Sequence, residues 1–200
     1  MNEEKRALLV MCAHFLSYPG KTFKDEAKQM EAALLGEEGM RQVKQTLQIA
    51  YAPLSRLSTR EMQECYVETF DMKAPLGLYL TAHEYGDSTK RGSALIKLQK
   101  IINEAGFDRV EGELADYIPM LFEFLAVADE TVESKRLYKR LAIAIHRMVN
   151  NIDEEHPYAN ILQFLMSEVF PNPTTDEVKQ LENNREEADL EELPYPIMYQ

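Results

Sequence analysis

The chain has 200 residues, 45% of them hydrophobic, with 8 Gly, 9 Pro and a formal net charge of -12. That length and composition fit one globular domain rather than a disordered chain. The charge excludes a phosphate backbone as the natural partner, because nucleic-acid binding needs a basic face to displace counterions; it disfavours anionic membranes too, and selects a basic protein or peptide.

Apolar residues recur at three- and four-residue spacing and strict alternation is scarce, so the expected fold class is all-α, a single-domain helical bundle. The first helix is expected from about Glu3 to Ser17, burying Leu8, Leu9, Cys12, Phe15 and Leu16, and Tyr18-Pro19-Gly20 stops it. MNEEKR is no signal-peptide n-region, the apolar run behind it soon meets His14, and no stretch has the length of a membrane span. A cytoplasmic, unprocessed protein is expected. Cys12 and Cys65 lie in apolar periodic runs without a partner at metal or redox spacing, which reads as buried free thiols in a reducing compartment.

Helices are expected next at Phe23 to Leu35 and Glu38 to Ala50, divided by Gly36, with Pro53 opening a connector. Ser58-Thr59-Arg60-Glu61 has the form of a capping box and starts a helix to about Asp71, before a break at Lys73 to Gly77. Ile118-Pro119 suits the first turn of a helix reaching about Asp129. Two more amphipathic helices fit Thr131 to Asn150 and Pro157 to Phe170. The domain is therefore drawn as residues 1–171, with 172–200 as an acidic, mobile or weakly docked tail.

The stretch YLTAHEYGDSTKRGSALIKL, Tyr79 to Leu98, concentrates chemistry. His83-Glu84 begins like a zincin helix, but Asp87 stands where the second His is needed, so no metal site is expected. Gly86 and Gly92 are isolated and follow no strand, so no phosphate cradle forms. Lys90-Arg91 near a helix start could hold an anion, or Arg91 could pair with Asp87 one turn away. The junction reading accounts for more: a short helix from Leu78 to Tyr85, Gly86 with positive φ after it, Asp87 or Ser88 capping the next, and Gly106 closing that one near Ala105. Gly92 inside that helix costs up to ~1 kcal/mol relative to Ala unless another backbone packs there.

YVETFD at Tyr66–Asp71, LYLTAHEYGD at Leu78–Asp87, RGSAL at Arg91–Leu95 and ELADYIPMLFEFLA at Glu113–Ala126, with LSYPG at Leu16–Gly20, strongly resemble the nitrate reductase molybdenum cofactor assembly chaperones. That family is also called the nitrate reductase delta subunit or NarJ family, within the TorD-like redox-enzyme chaperones. The resemblance covers about Ala7 to Phe170 in order. It implies an all-helical chaperone without enzymatic activity or cofactor of its own. Such a chaperone binds the apo catalytic α subunit of a respiratory nitrate reductase through its N-terminal peptide, assists cofactor insertion and delays membrane docking. One departure stands out: where the family commonly has Pro in ELPDY, this chain has Ala115.

An amphipathic peptide in a helical groove needs an apolar floor and polar fixing points. Tyr66, Phe70 and Tyr79 are candidates to line it, with core packing as their alternative. Asp71 could receive a peptide Arg or Lys, or a local hydrogen bond. His83 could sense pH or be a satisfied structural His. Asp87 and Arg91 brace the junction. Asp116, Tyr117 and Glu123, at or before one helix, are further candidates, with the two carboxylates offered to a basic peptide and with capping and surface solvation as their alternatives. Rival readings are a chaperone for another molybdoenzyme of the same superfamily and a small metal-dependent hydrolase using His83, Glu84 and Asp87.

Overall fold

Asn2 opens α1, Glu3–Phe15, its side chain accepting from the Lys5 amide at 3.0 Å, and Leu8, Leu9, Cys12 and Phe15 turn inward at helical spacing. The structure is a computed structural model that describes residues 1–34, 41–86, 88, 90–108 and 112–179. Gly36, Asp87 and the tail beyond residue 179 lie outside the described residues.

Then come α2, Phe23–Leu34, and α3, Arg41–Ser55. The connector expected at Pro53 is corrected, because α3 runs through it. Leu54 continues the buried stripe of Leu47 and Ala50, and Lys24 closes the end by donating to the Ser55 and Leu57 carbonyls at 2.9 and 2.5 Å. Burial of Leu54 outweighs one missing amide bond so close to the helix end.

The capping box forms in both directions: Glu61 N donates to Ser58 Oγ at 3.3 Å and Ser58 N to Glu61 Oε2 at 2.7 Å. It starts α4, Thr59–Tyr66, which loosens into a π-helical turn at Val67–Asp71 before a 3-10 turn at Ala74–Leu76. Short α5, Leu80–Tyr85, ends at Gly86 with φ of +55°. Ser88 Oγ accepts from Lys90 N at 3.3 Å, and Lys90, already helical, leads into α6, Arg91–Glu104, which closes at Ala105 before Gly106 with φ of +82°.

Pro119 occupies the first turn of α7, Ile118–Val127. Thr131 and Ser134 cap α8, Val132–Val149, reciprocally. The last expected helix divides into α9, Ala159–Phe164, and a second π-helical turn, Leu165–Val169. Among the described residues there is no strand, and no helix is long and apolar enough to cross a membrane.

Helix α1 packs chiefly against α7, with α2 and the second π-helical turn beside it; α3 and α8 flank α9, and α5 bridges α6 and α8. Residue 174 begins another capping box with Glu177, whose carboxylate meets Lys139 of α8 at 3.2 Å. Cys12 is a buried free thiol and Cys65 a half-buried one.

Candidate functional site

Three motifs meet where α5 and α7 begin. Tyr79 and Tyr117 form an isolated antiparallel bridge, with Leu80 N donating to Asp116 O and Ile118 N to Leu78 O, both at 2.9 Å. Neither segment is a strand. The two helix starts satisfy each other's orphan backbone groups, and Tyr79 and Tyr117 emerge side by side with ring centres 5.7 Å apart.

Beneath them lies a polar hub. Asp116 is fully buried; its Oδ2 accepts from Thr81 N at 3.1 Å and from the Thr81 hydroxyl, and the Arg91 guanidinium stands 3.7 Å away. Arg91 Nε donates to Thr81 Oγ1 at 3.1 Å, which closes the triangle. Asp116 Oδ1 is buried without a hydrogen-bond partner among the described residues. The sequence offered Arg91 an anion or Asp87; among the described residues Arg91 meets Asp116 and Thr81, and Asp87 lies outside them. Asp116 was a candidate for display to a basic peptide, and burial leaves it a positioning role.

The rest of α5 is clamped to α8. Glu84 and Arg140 form a bidentate pair with both bonds at 2.6 Å, and Arg147 donates to the His83 carbonyl at 2.6 Å. His83 Nε2 lies 2.7 Å from the Gly77 carbonyl, which only accepts, so that nitrogen carries the proton. Burial lowers the His83 pKa below the usual histidine range, outweighing the carbonyl bond that raises it.

Above the hub is an aromatic layer. The Tyr66 and Tyr117 hydroxyls are 3.2 Å apart, and Tyr66 packs edge-on against Phe70 and Tyr158. Tyr66 and Phe70 are buried, whereas Tyr79 and Tyr117 are half-buried. Tyr79 donates to Glu113 Oε2 at 3.4 Å, and burial, then the Glu113 charge, push its phenol up to about 12. Asp71 is exposed at the end of the first π-helical turn, near enough that its charge adds to the burial that raises the Tyr66 and Tyr117 phenols. Glu123 is exposed on α7, where desolvation raises its carboxyl and His14 opposes that, and it makes no hydrogen bond or ion pair with this cluster among the described residues. Asp87 lies outside the described residues.

Sequence reading missed Thr81, Glu113, Arg140 and Arg147. Thr81 and Glu113 sit inside the motifs as unremarkable polar residues. Arg140 and Arg147 fall two turns apart on one face of α8, a signal that becomes legible once α5 is known to lie there.

His83 and Glu84 are committed to Gly77 and Arg140, so the pair offered to a hydrolytic metal is already engaged. Among the described residues, no three His, Cys, Asp or Glu side chains converge as metal ligands.

A family model described as nitrate reductase delta subunit matches residues 26–156. All four motifs from YVETFD onward lie inside that span, and Leu16–Gly20 lies outside it. A protein of Bacillus subtilis (strain 168) named probable nitrate reductase molybdenum cofactor assembly chaperone NarJ is 28% identical over 153 residues, covering 76% of this chain and 82% of that protein. The nitrate reductase molybdenum cofactor assembly chaperone NarJ of Escherichia coli (strain K12) is 27% identical over 184 residues, 90% of this chain and 76% of that protein. Nitrate reductase-like protein NarX of Mycobacterium tuberculosis is 30% identical over 96 residues, which is 48% of this chain and 15% of that protein.

Proposed function

The chain belongs to the nitrate reductase delta subunit family, and from that premise we propose that it is an assembly chaperone. Its client is the apo catalytic subunit of a nitrate reductase, which it keeps open for molybdenum cofactor insertion before the complex docks at the membrane. Contact is made through the N-terminal peptide of that subunit, in the cytoplasm. The observation that carries the reading is the half-buried Tyr79–Tyr117 pair beside the carboxylates of Asp71 and Glu113, set on a rigid polar hub. A face of this kind gives an amphipathic basic peptide apolar area, fixed polar groups and a favourable field.

The test is calorimetric titration with a synthetic peptide from the N-terminus of the partner catalytic subunit, against a scrambled control. Saturable binding that weakens with salt and with Asp71→Lys is the expected result. Equal binding of the two peptides, or none, removes the peptide from the mechanism. Exchanging the leader for that of another molybdoenzyme of the superfamily distinguishes the nitrate reductase assignment from its nearest relative.

A further inference from the structure

The loop after α1 and the exposed side of α4 enclose an open groove of about 520 Å³, lined by Tyr18, Arg60, Gln63, Glu64, Val67 and Glu68. Its wall is fixed: Gln63 Nε2 donates to the Pro19 carbonyl at 2.9 Å, and the Tyr18 ring stands edge-on to Tyr66 at 5.4 Å and 88°. Tyr66 leads straight to Tyr117 through their hydroxyls, so the groove continues the aromatic layer on the α4 side. Tyr18 nevertheless leaves 53% of its surface exposed, a large apolar area for a side chain that the fold holds in place.

The charges of the groove do not cancel. Arg60 is spent on Glu64, with Nε to Oε1 at 2.9 Å, while Glu68, one turn further on, has no ion pair among the described residues. With one cation against two carboxylates, the groove is left with a single negative charge beside an exposed aromatic face. An anion is repelled there, and a purely apolar segment leaves Glu68 without a partner.

We infer that this groove seats one turn of a basic amphipathic segment of the client peptide, with a Lys or Arg side chain laid across Tyr18 and Val67 so that its cation meets Glu68. The aliphatic stem covers apolar surface while the head pairs, and the aromatic face adds attraction for the cation. The inference rests on the peptide-binding reading proposed above and gives it an address: LSYPG and YVETFD are the two walls of one slot.

The experiment measures fluorescence anisotropy of the labelled N-terminal peptide of the catalytic subunit with the full chain, with Tyr18→Ala and with Glu68→Lys. Glu68 is exposed, so its variant is expected to keep the parental unfolding midpoint, and Tyr18→Ala, which gives up its edge contact with Tyr66, is expected to lower it only slightly. Affinity falls on the order of tenfold in each variant, as when an interface hot spot is lost. Replacing the peptide's basic residues one at a time by Glu then identifies one position at which binding to Glu68→Lys recovers while binding to the parent chain weakens. If the parent chain binds the peptide and both variants bind within twofold of it, with no charge swap restoring anything, the groove assignment is overturned and the proposed function stands. If the parent chain does not distinguish the peptide from its scrambled form, the peptide-binding reading fails and the groove inference fails with it.

Discussion

Helices α7 and α5 are attached to the same domain by opposite means. Helices α1 and α7 pack on each other through one apolar core, to which α1 brings Leu8, Leu9 and Cys12 and α7 brings Leu121, Phe122 and Leu125, all essentially removed from solvent. Directed polar help comes at the end, where Arg6 donates to the Ala126 and Ala128 carbonyls at 2.7 and 3.1 Å. Helix α5 has six residues, too few to persist on its own, and it is pinned by directed bonds from Thr81, His83 and Glu84. Apolar packing supplies stability without fixing orientation closely, whereas bonds along three directions fix how α5 points. Tyr79, immediately before α5, inherits that orientation.

Breaking the fork at the centre of this clamp has the largest expected effect. Glu84→Ala leaves the Arg140 guanidinium buried and unpaired, and a loss of about 3–5 kcal/mol is expected in urea unfolding. Phe122→Ala in the apolar contact is expected to cost a similar amount, about 3–5 kcal/mol, through the cavity it leaves. Rescue separates the two regions. Glu84→Leu combined with Arg140→Met removes both charges and restores stability to within about 1–2 kcal/mol of the parent, because a buried ion pair earns little over well-packed apolar side chains. The combined variant is also expected to weaken client-peptide binding, since the direction of α5 is no longer enforced. Full peptide affinity in that variant would show that orientation is not what the polar clamp provides.

The hub itself offers a milder cut. Asp116→Asn keeps an acceptor for Thr81 but removes the charge facing Arg91, and a loss of about 1–3 kcal/mol is expected. Rescue by Asp116→Glu is not expected, because the extra methylene has no room in a fully buried site.

The contrast between the regions also explains what the sequence disclosed. Periodicity reports apolar faces, so α1, α7 and α8 were legible almost to the residue, and the Ser58 capping box was legible from its spacing. It carries no record of polar bonds between elements far apart in the chain: nothing near Arg140 says that Glu84 lies 56 residues away. The motif residues were recognisable as a set, but their division into inward-facing Asp116 and Arg91 and outward-facing Asp71 and Tyr79 depends on the bridge between Tyr79 and Tyr117. Loosening into π-helical turns at Val67 and Leu165 was illegible too, since a single shifted bond register leaves the apolar spacing nearly unchanged.

Acidification tests the clamp more gently. His83 and His156 both have pKa values lowered by burial, so below about pH 6.5 the unfolded chain takes up protons that the folded chain refuses. Stability is therefore expected to fall as pH drops from about 6.5 toward the folded values, and to be independent of these groups above that window. His83→Gln keeps a donor for the Gly77 carbonyl and removes one of the two titrations. Its stability is expected to fall less than that of the parent between about pH 7.5 and pH 5.5, read from urea midpoints. An unchanged slope would assign the acid response to His156, whose ring meets Thr69 at 3.0 Å on the α9 side.

The smallest effect belongs to a residue that neither region uses. Gly92 lies in the first turn of α6, and a methyl group placed on it meets no atom within 4 Å. Close packing inside the protein therefore does not require glycine there, and its φ is not in the region that favours glycine. Gly92→Ala is expected to raise stability by up to ~1 kcal/mol through the lower backbone entropy of the unfolded chain. Peptide binding measured on the same variant gives the number its meaning. Unchanged affinity makes Gly92 a dispensable cost in a helix that the hub already anchors through Arg91. A gain in stability joined to a loss of binding means that a client backbone comes close at α6, and the face that reads the client then extends past Tyr79 onto the far side of the hub.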